Sequence, residues 1–76
     1  MKIFDVWFDT EALKLMATGD FRDGTLIVER INSPVAARQV SESVKALCGG
    51  SVAFRLRPSA KAWESAFTDV GAVVVP

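Results

Sequence analysis

The sequence predicts a single α/β domain over residues 1–76, with a mixed sheet of four to five strands, two helices on one face and the order β-β-β-α-β-α-β. Three observations support this class. A chain of 76 residues has room for one small core. Hydrophobic residues make up 50% of it, which is typical of a globular domain and not of a linker. The second half alternates strand and helix patterns that carry matching start and stop signals.

Three strands are predicted in the first half. KIFDVWFD alternates with period two, so one face carries Phe4, Val6 and Phe8 and the other carries Ile3, Asp5, Trp7 and Asp9. The next segment is ambiguous, because Thr10 suits the cap of a short helix while Leu13, Leu15 and Ala17 alternate with polar or flexible residues. We favour a second strand that forms a hairpin with the first. The apolar run Leu26 to Val28 then predicts an inner strand.

The first helix is predicted to begin at Pro34, with Ser33 as its N-cap. An apolar stripe at helical spacing predicts its buried side, formed by Ala36, Ala37, Val40, Val44, Leu47 and Cys48. The opposite, exposed side is predicted to carry Arg38, Gln39, Ser41, Glu42 and Lys45. Gly49 suits the left-handed residue that ends a helix.

A fourth strand, a second helix and a fifth strand complete the pattern. SVAFRLR places Val52, Phe54 and Leu56 on one face and Ala53, Arg55 and Arg57 on the other. Ser59 is expected to cap the last helix, whose core side carries Trp63, Phe67 and Val70 before Gly71 ends it. AVVV is then the last strand.

The residue inventory argues against an enzyme. Cys48 is the single cysteine and histidine is absent, so no disulfide, metal site or cofactor is expected. Nothing pairs a nucleophile with a base or places a glycine-rich loop before a helix. We therefore assign no catalytic residue, and we expect Cys48 to be a buried small hydrophobe.

Charges are unevenly distributed along the chain. The net charge is zero, with six acidic and three basic residues up to Glu29 and six basic and one acidic from Arg30 to Lys61. Such segregation suits association with a charged partner, but it is equally typical of the solvated faces of different elements, and zero net charge argues against nucleic acid. No apolar run approaches the ~20 residues that span a bilayer, so we expect a soluble, cytoplasmic protein.

Residues 32–75, NSPVAARQVSESVKALCGGSVAFRLRPSAKAWESAFTDVGAVVV, resemble the C-terminal half of a STAS domain, the fold of bacterial anti-sigma factor antagonists. LKLMATGD also resembles the strand ending in Thr-Gly-Glu that this family carries near its N-terminus. The resemblance is to a truncated, divergent member, because only FRDG separates Asp20 from Thr25 where the family has a helix.

The resemblance implies a regulatory, partner-switching domain. Its docking surface would be formed by Asn32, Ser33, Arg38, Gln39, Ser41 and Glu42. Ser33 would be the phosphorylated residue, although a serine before Pro34 is also a common N-cap. A second reading is a small stand-alone inhibitor, such as a phage-encoded protein that occludes a host or defence complex. A third is a homodimer formed through the wetter sheet face, where Ile3, Trp7 and Ile31 would leave an apolar patch.

Overall fold

The computed structural model describes residues 1–19, 27–30 and 35–76. Its elements follow the predicted order. The strands and helices are β1 (Lys2–Asp9), β2 (Lys14–Gly19), β3 (Ile27–Arg30), α1 (Ala36–Cys48), β4 (Val52–Leu56), a 3₁₀ helix (Pro58–Trp63), α2 (Glu64–Asp69) and β5 (Val74–Val75). The predicted fold class is confirmed: this is a small α/β domain with a mixed sheet.

The strands form one five-stranded sheet in the order β3-β2-β1-β4-β5. β1 lies at its centre, antiparallel to β2 and parallel to β4, and β5 adds parallel to β4. β3 pairs with β2 at the sheet edge, so the prediction of an inner third strand was wrong. Ile27 of β3 is nevertheless buried, because α1 packs against this strand as the chain crosses over to β4. The apolar run therefore correctly indicated that Ile27 is buried, but it did not indicate the position of β3 in the sheet.

The hairpin between β1 and β2 confirms the strand reading of the second segment. Four residues connect Asp9 to Lys14, and the Asp9 carboxylate Oδ1 accepts hydrogen bonds from the backbone N–H groups of Glu11 and Ala12 at 2.9 and 3.0 Å. The loop ends at Leu13, which has φ of 54° and is 60% exposed. This left-handed conformation is unfavourable for a residue with a Cβ.

Leu13→Gly is expected to stabilise the domain by about 0.5–1 kcal/mol. Glycine removes the ~1–2 kcal/mol cost of the left-handed conformation, and the gain is partly offset by the greater freedom of glycine in the unfolded chain. Urea-induced unfolding followed by circular dichroism measures the change. Leu13→Ala is the control because it keeps the strain, and equal stabilities of the two variants would contradict this account.

All the helices cover the same face of the sheet. The core side chains that point to this face from β1, β2 and β4 are Phe4, Val6, Leu15, Ala17, Val52, Phe54 and Leu56. The helices close the core with Ala36, Ala37, Val40, Val44, Ala60 and Phe67. No helix of the described residues lies on the opposite side of the sheet, which confirms the prediction that both helices lie on one face.

α1 matches its predicted stripe except near its end. The helix runs from Ala36 to Cys48, and Gly49 ends it with φ of 65° and a 2.9 Å hydrogen bond from its N–H to the carbonyl of Lys45. Leu47 is 58% exposed and does not belong to the core. Cys48 is half-buried and packs against the core. The predicted cap Ser33 and first residue Pro34 lie outside the described residues.

The last helical segment begins as a 3₁₀ helix and continues as α2. Pro58 occupies its first turn, so the helix begins before the predicted cap Ser59, which does not cap it. The Ser59 hydroxyl instead accepts the backbone N–H of Phe8 at 3.0 Å, which continues the pairing of β1 with the β4 side. Gly71 ends α2 with φ of 81°, as predicted. Trp63 is half-buried against Phe8.

Candidate interaction surface

A polar depression of about 380 Å³ lies between α1 and α2. We call it the α1–α2 cleft, and its lining residues are Arg38, Ser41, Glu42, Lys45, Asp69 and Val70. The four α1 residues are three or four positions apart, so they follow one stripe of the helix. Asp69 and Val70 come from the end of α2, which packs beside this stripe.

The charges around the α1–α2 cleft alternate in sign. Along α1 the order is Arg38, Glu42 and Lys45, and Asp69 adds a second carboxylate from α2. Within the part of the chain that the structure describes, none of these four side chains forms an ion pair or a side-chain hydrogen bond.

Ser41 is the one predicted surface residue that the structure buries. It is only 2% exposed, and its Oγ is shielded from solvent and makes no hydrogen bond to a described residue. The prediction that it lies on the exposed side was wrong. Position 41 follows Ala37 by one turn and precedes Val44 by three residues, so it borders the buried stripe. Asp69 and Val70 of the α2 end line the same depression as Ser41.

The remaining predicted residues divide into two groups. Arg38, Gln39 and Glu42 are exposed on α1. Asn32 and Ser33 lie outside the described residues, so their positions relative to the cleft stay predictions. The sequence predicted that Lys45 is exposed, but Lys45 was not included in the predicted docking surface. Its spacing of three residues from Glu42 and seven from Arg38 already indicated that the three side chains share one stripe of α1.

Asp69 and Val70 were missed because only the packing of α2 against α1 brings them to the cleft. Nothing in the local sequence around them signals that position. A prediction based on α1 alone therefore identifies the α1 residues of the cleft but not the two residues that α2 contributes.

A second depression, of about 360 Å³, lies on the helix-free side of the sheet. Asp5, Trp7, Thr18 and Arg57 line it. Beside it, Arg55 Nε lies 3.8 Å from Asp5 Oδ1, and the two side chains are 45% and 36% exposed. Asp5 Oδ1 is shielded from solvent and accepts no hydrogen bond from a described residue. This surface combines an aromatic ring with charges of both signs.

Two further observations complete the survey of the described residues. No three His, Cys, Asp or Glu side chains gather there in an arrangement that could hold a metal ion. No helix among them has the length and apolar character needed to span a bilayer. Comparisons with protein-family models, curated proteins and solved structures find no match to this chain.

Proposed function

We propose that this protein is a small non-catalytic interaction domain that binds a protein partner through the α1–α2 cleft. The observation that carries the proposal is the set of four charged side chains around the cleft, none of which is paired with a described residue. Charges arranged on a rigid helix favour one partner by complementarity and disfavour others by like-charge repulsion.

The order of positive and negative charges along α1 favours a different protein, and not a second copy of this chain, as the binding partner of the cleft. Two copies of α1 packed antiparallel would place Arg38 opposite Lys45 and bring the two Glu42 side chains close together. Two copies packed parallel would place each charge beside its own equivalent. Both arrangements set like charges against each other, which is costly at an interface. The expected partner presents acidic, basic and acidic groups in that order along the stripe.

The resemblance to STAS domains supports a regulatory role for this surface, in the bacterial cytoplasm. Phosphorylation of Ser33 would add nearly two negative charges close to the start of α1 and would repel an acidic partner group. Occlusion of a larger host or defence complex is the alternative. The two roles differ in the partner they require: a kinase-like regulator for the switch, and a large enzyme or complex for occlusion.

Affinity capture from the cell that encodes the protein tests the surface. Arg38→Glu reverses one charge of the α1–α2 cleft, so we expect recovery of the specific partner to fall about tenfold or more, the size of a ~1.4 kcal/mol loss. Quantitative mass spectrometry of the captured proteins measures this. The same spectra identify the partner and report whether Ser33 is modified.

Lys61→Glu is the matched control, because it makes the same change in net charge at an exposed residue that does not line the cleft. Proteins recovered equally by wild type and Lys61→Glu but lost with Arg38→Glu define the partner. Equal recovery of every protein by all three baits would rule out this surface. Circular dichroism verifies that each bait is folded.

A further inference from the structure

We propose that the helix-free side of the sheet is a homodimer interface, in which two copies pack sheet against sheet around a two-fold axis parallel to the strands. We call this side the open face. Its described residues are Ile3, Asp5, Trp7, Met16, Thr18, Ala53, Arg55, Arg57 and Val75. The inference is independent of the α1–α2 cleft, which lies on the helix side.

The register of the sheet sets the layout of the open face. Asp5 of β1 lies beside Arg55 of β4, and Ile3 lies beside Ala53 in the same parallel pair. Arg57 follows Leu56, the partner of Val6, so it comes level with Trp7 at the end of the pair. The two central strands therefore carry three pairs of neighbouring residues on this face. Ile3 and Ala53 are apolar, Asp5 and Arg55 have opposite charges, and Trp7 and Arg57 combine an aromatic ring with a cation.

A two-fold axis parallel to the strands and midway between β1 and β4 places β1 of one copy over β4 of the second copy. Asp5 of one copy then faces Arg55 of the second copy, and Trp7 faces Arg57 of the second copy. Ala53 has no exposed surface, so the row at Ile3 contributes only the Ile3 side chain, which is 38% exposed. Each of the two polar contacts occurs twice by symmetry, and each is favourable: a carboxylate with a guanidinium, and a guanidinium with an aromatic ring. The open face is thus complementary to itself.

The charges on the open face are incompletely satisfied within one copy. Asp5 Oδ1 accepts no hydrogen bond from a described residue, and the 3.8 Å separation from Arg55 Nε exceeds hydrogen-bond distance. Pairing with a second copy would place two carboxylates and two guanidinium groups in alternation at the centre of the contact. Apolar packing around them would exclude water and strengthen both pairs.

The size of the sheet indicates how tightly the copies associate. The five strands contain 8, 6, 4, 5 and 2 residues. At ~3.3 Å per residue and ~4.8 Å between strands, they present roughly 400 Å² per copy. A standard stable interface buries about 800 Å² per partner, so this contact falls in the weak class. We therefore expect dimerisation in the micromolar range.

Sedimentation velocity between about 1 µM and 1 mM tests the proposal, over a range that spans the affinity expected for a weak interface. Wild type is expected to shift from monomer to dimer, whereas Asp5→Arg and Arg55→Asp each place like charges face to face and remain monomeric. An equal mixture of the two variants is expected to dimerise again. In the mixed dimer every position 5 faces a position 55 of opposite charge.

Lys61→Glu and Glu64→Lys supply the control, because they change the net charge by the same amounts at exposed residues away from the open face. Each alone is expected to dimerise like wild type. Should circular dichroism show that a test variant is unfolded, Arg57→Glu replaces it, since Arg57 is exposed and its loss removes the contact with Trp7. A monomeric wild type, dimeric single variants or a monomeric mixture would each overturn the proposal.

Discussion

Phe67→Ala is expected to lower the free energy of unfolding by about 3–5 kcal/mol, which is a large part of the stability of the domain. Phe67 is fully buried and is the one buried side chain of α2. Its ring lies 5.2 Å from that of Phe54, which in turn lies 6.5 Å from that of Phe4. Removing it leaves a cavity at the meeting point of α2 and the two central strands. A chain of this length has a total stability of only ~4–11 kcal/mol.

Urea-induced unfolding followed by circular dichroism measures this loss. Phe67→Leu keeps most of the apolar volume and is expected to cost about 1–2 kcal/mol, so the two variants separate cavity formation from the loss of the ring. A loss below about 1 kcal/mol for Phe67→Ala would mean that α2 does not anchor the core, given the usual cost of such cavities.

Gly19→Ala is expected to destabilise the domain by about 2–3 kcal/mol. Gly19 is the last residue of β2 and pairs with Phe4 across the hairpin. A Cβ at this position would lie 2.6 Å from the carbonyl oxygen of Ile3 and 2.9 Å from the Cα of Phe4. Both are backbone atoms, so β1 itself would have to move, and the central strand of the sheet would be displaced.

Gly50→Ala is the matched control for this substitution. No atom lies within 4 Å of the Cβ that it would add, and its φ is not left-handed. We expect its stability to equal or slightly exceed that of wild type, because alanine reduces the freedom of the unfolded chain. Thermal unfolding of the two variants side by side measures the difference. If Gly19→Ala melted as high as Gly50→Ala, the close approach of β2 to β1 would be refuted.

The class and order of the elements could be predicted because their signals are local. Alternation in KIFDVWFD and SVAFRLR gave the buried face of both central strands, and the structure buries Phe4 and Phe54 there. Gly49 and Gly71 both adopt the left-handed conformation that ends a helix. These signals depend on residues a few positions apart, so a single sequence carries them.

Other features depend on which elements meet in space, and the sequence carries less information about them. β3 is an edge strand because it pairs with only one strand, β2. An apolar run does not specify how many strands a segment will pair with. Ser41 looks like an exposed polar residue, but it borders the buried stripe of α1 and is only 2% exposed in the fold. Ser59 has the residue type of a cap, but its hydroxyl accepts an N–H from a strand 51 positions earlier. Each case needed the tertiary structure.

The central position of β1 has a consequence for how the chain folds during its synthesis. Its two neighbours are β2, a few residues later, and β4, which begins at Val52. During synthesis the hairpin therefore leaves the ribosome before β4, and one side of β1 is unpaired until β4 follows. Pairing between segments so far apart in sequence slows folding. During that interval the unpaired edge of β1 can pair with a strand of another chain that is being made on the same messenger RNA. This topology therefore exposes the chain to misfolding by strand exchange.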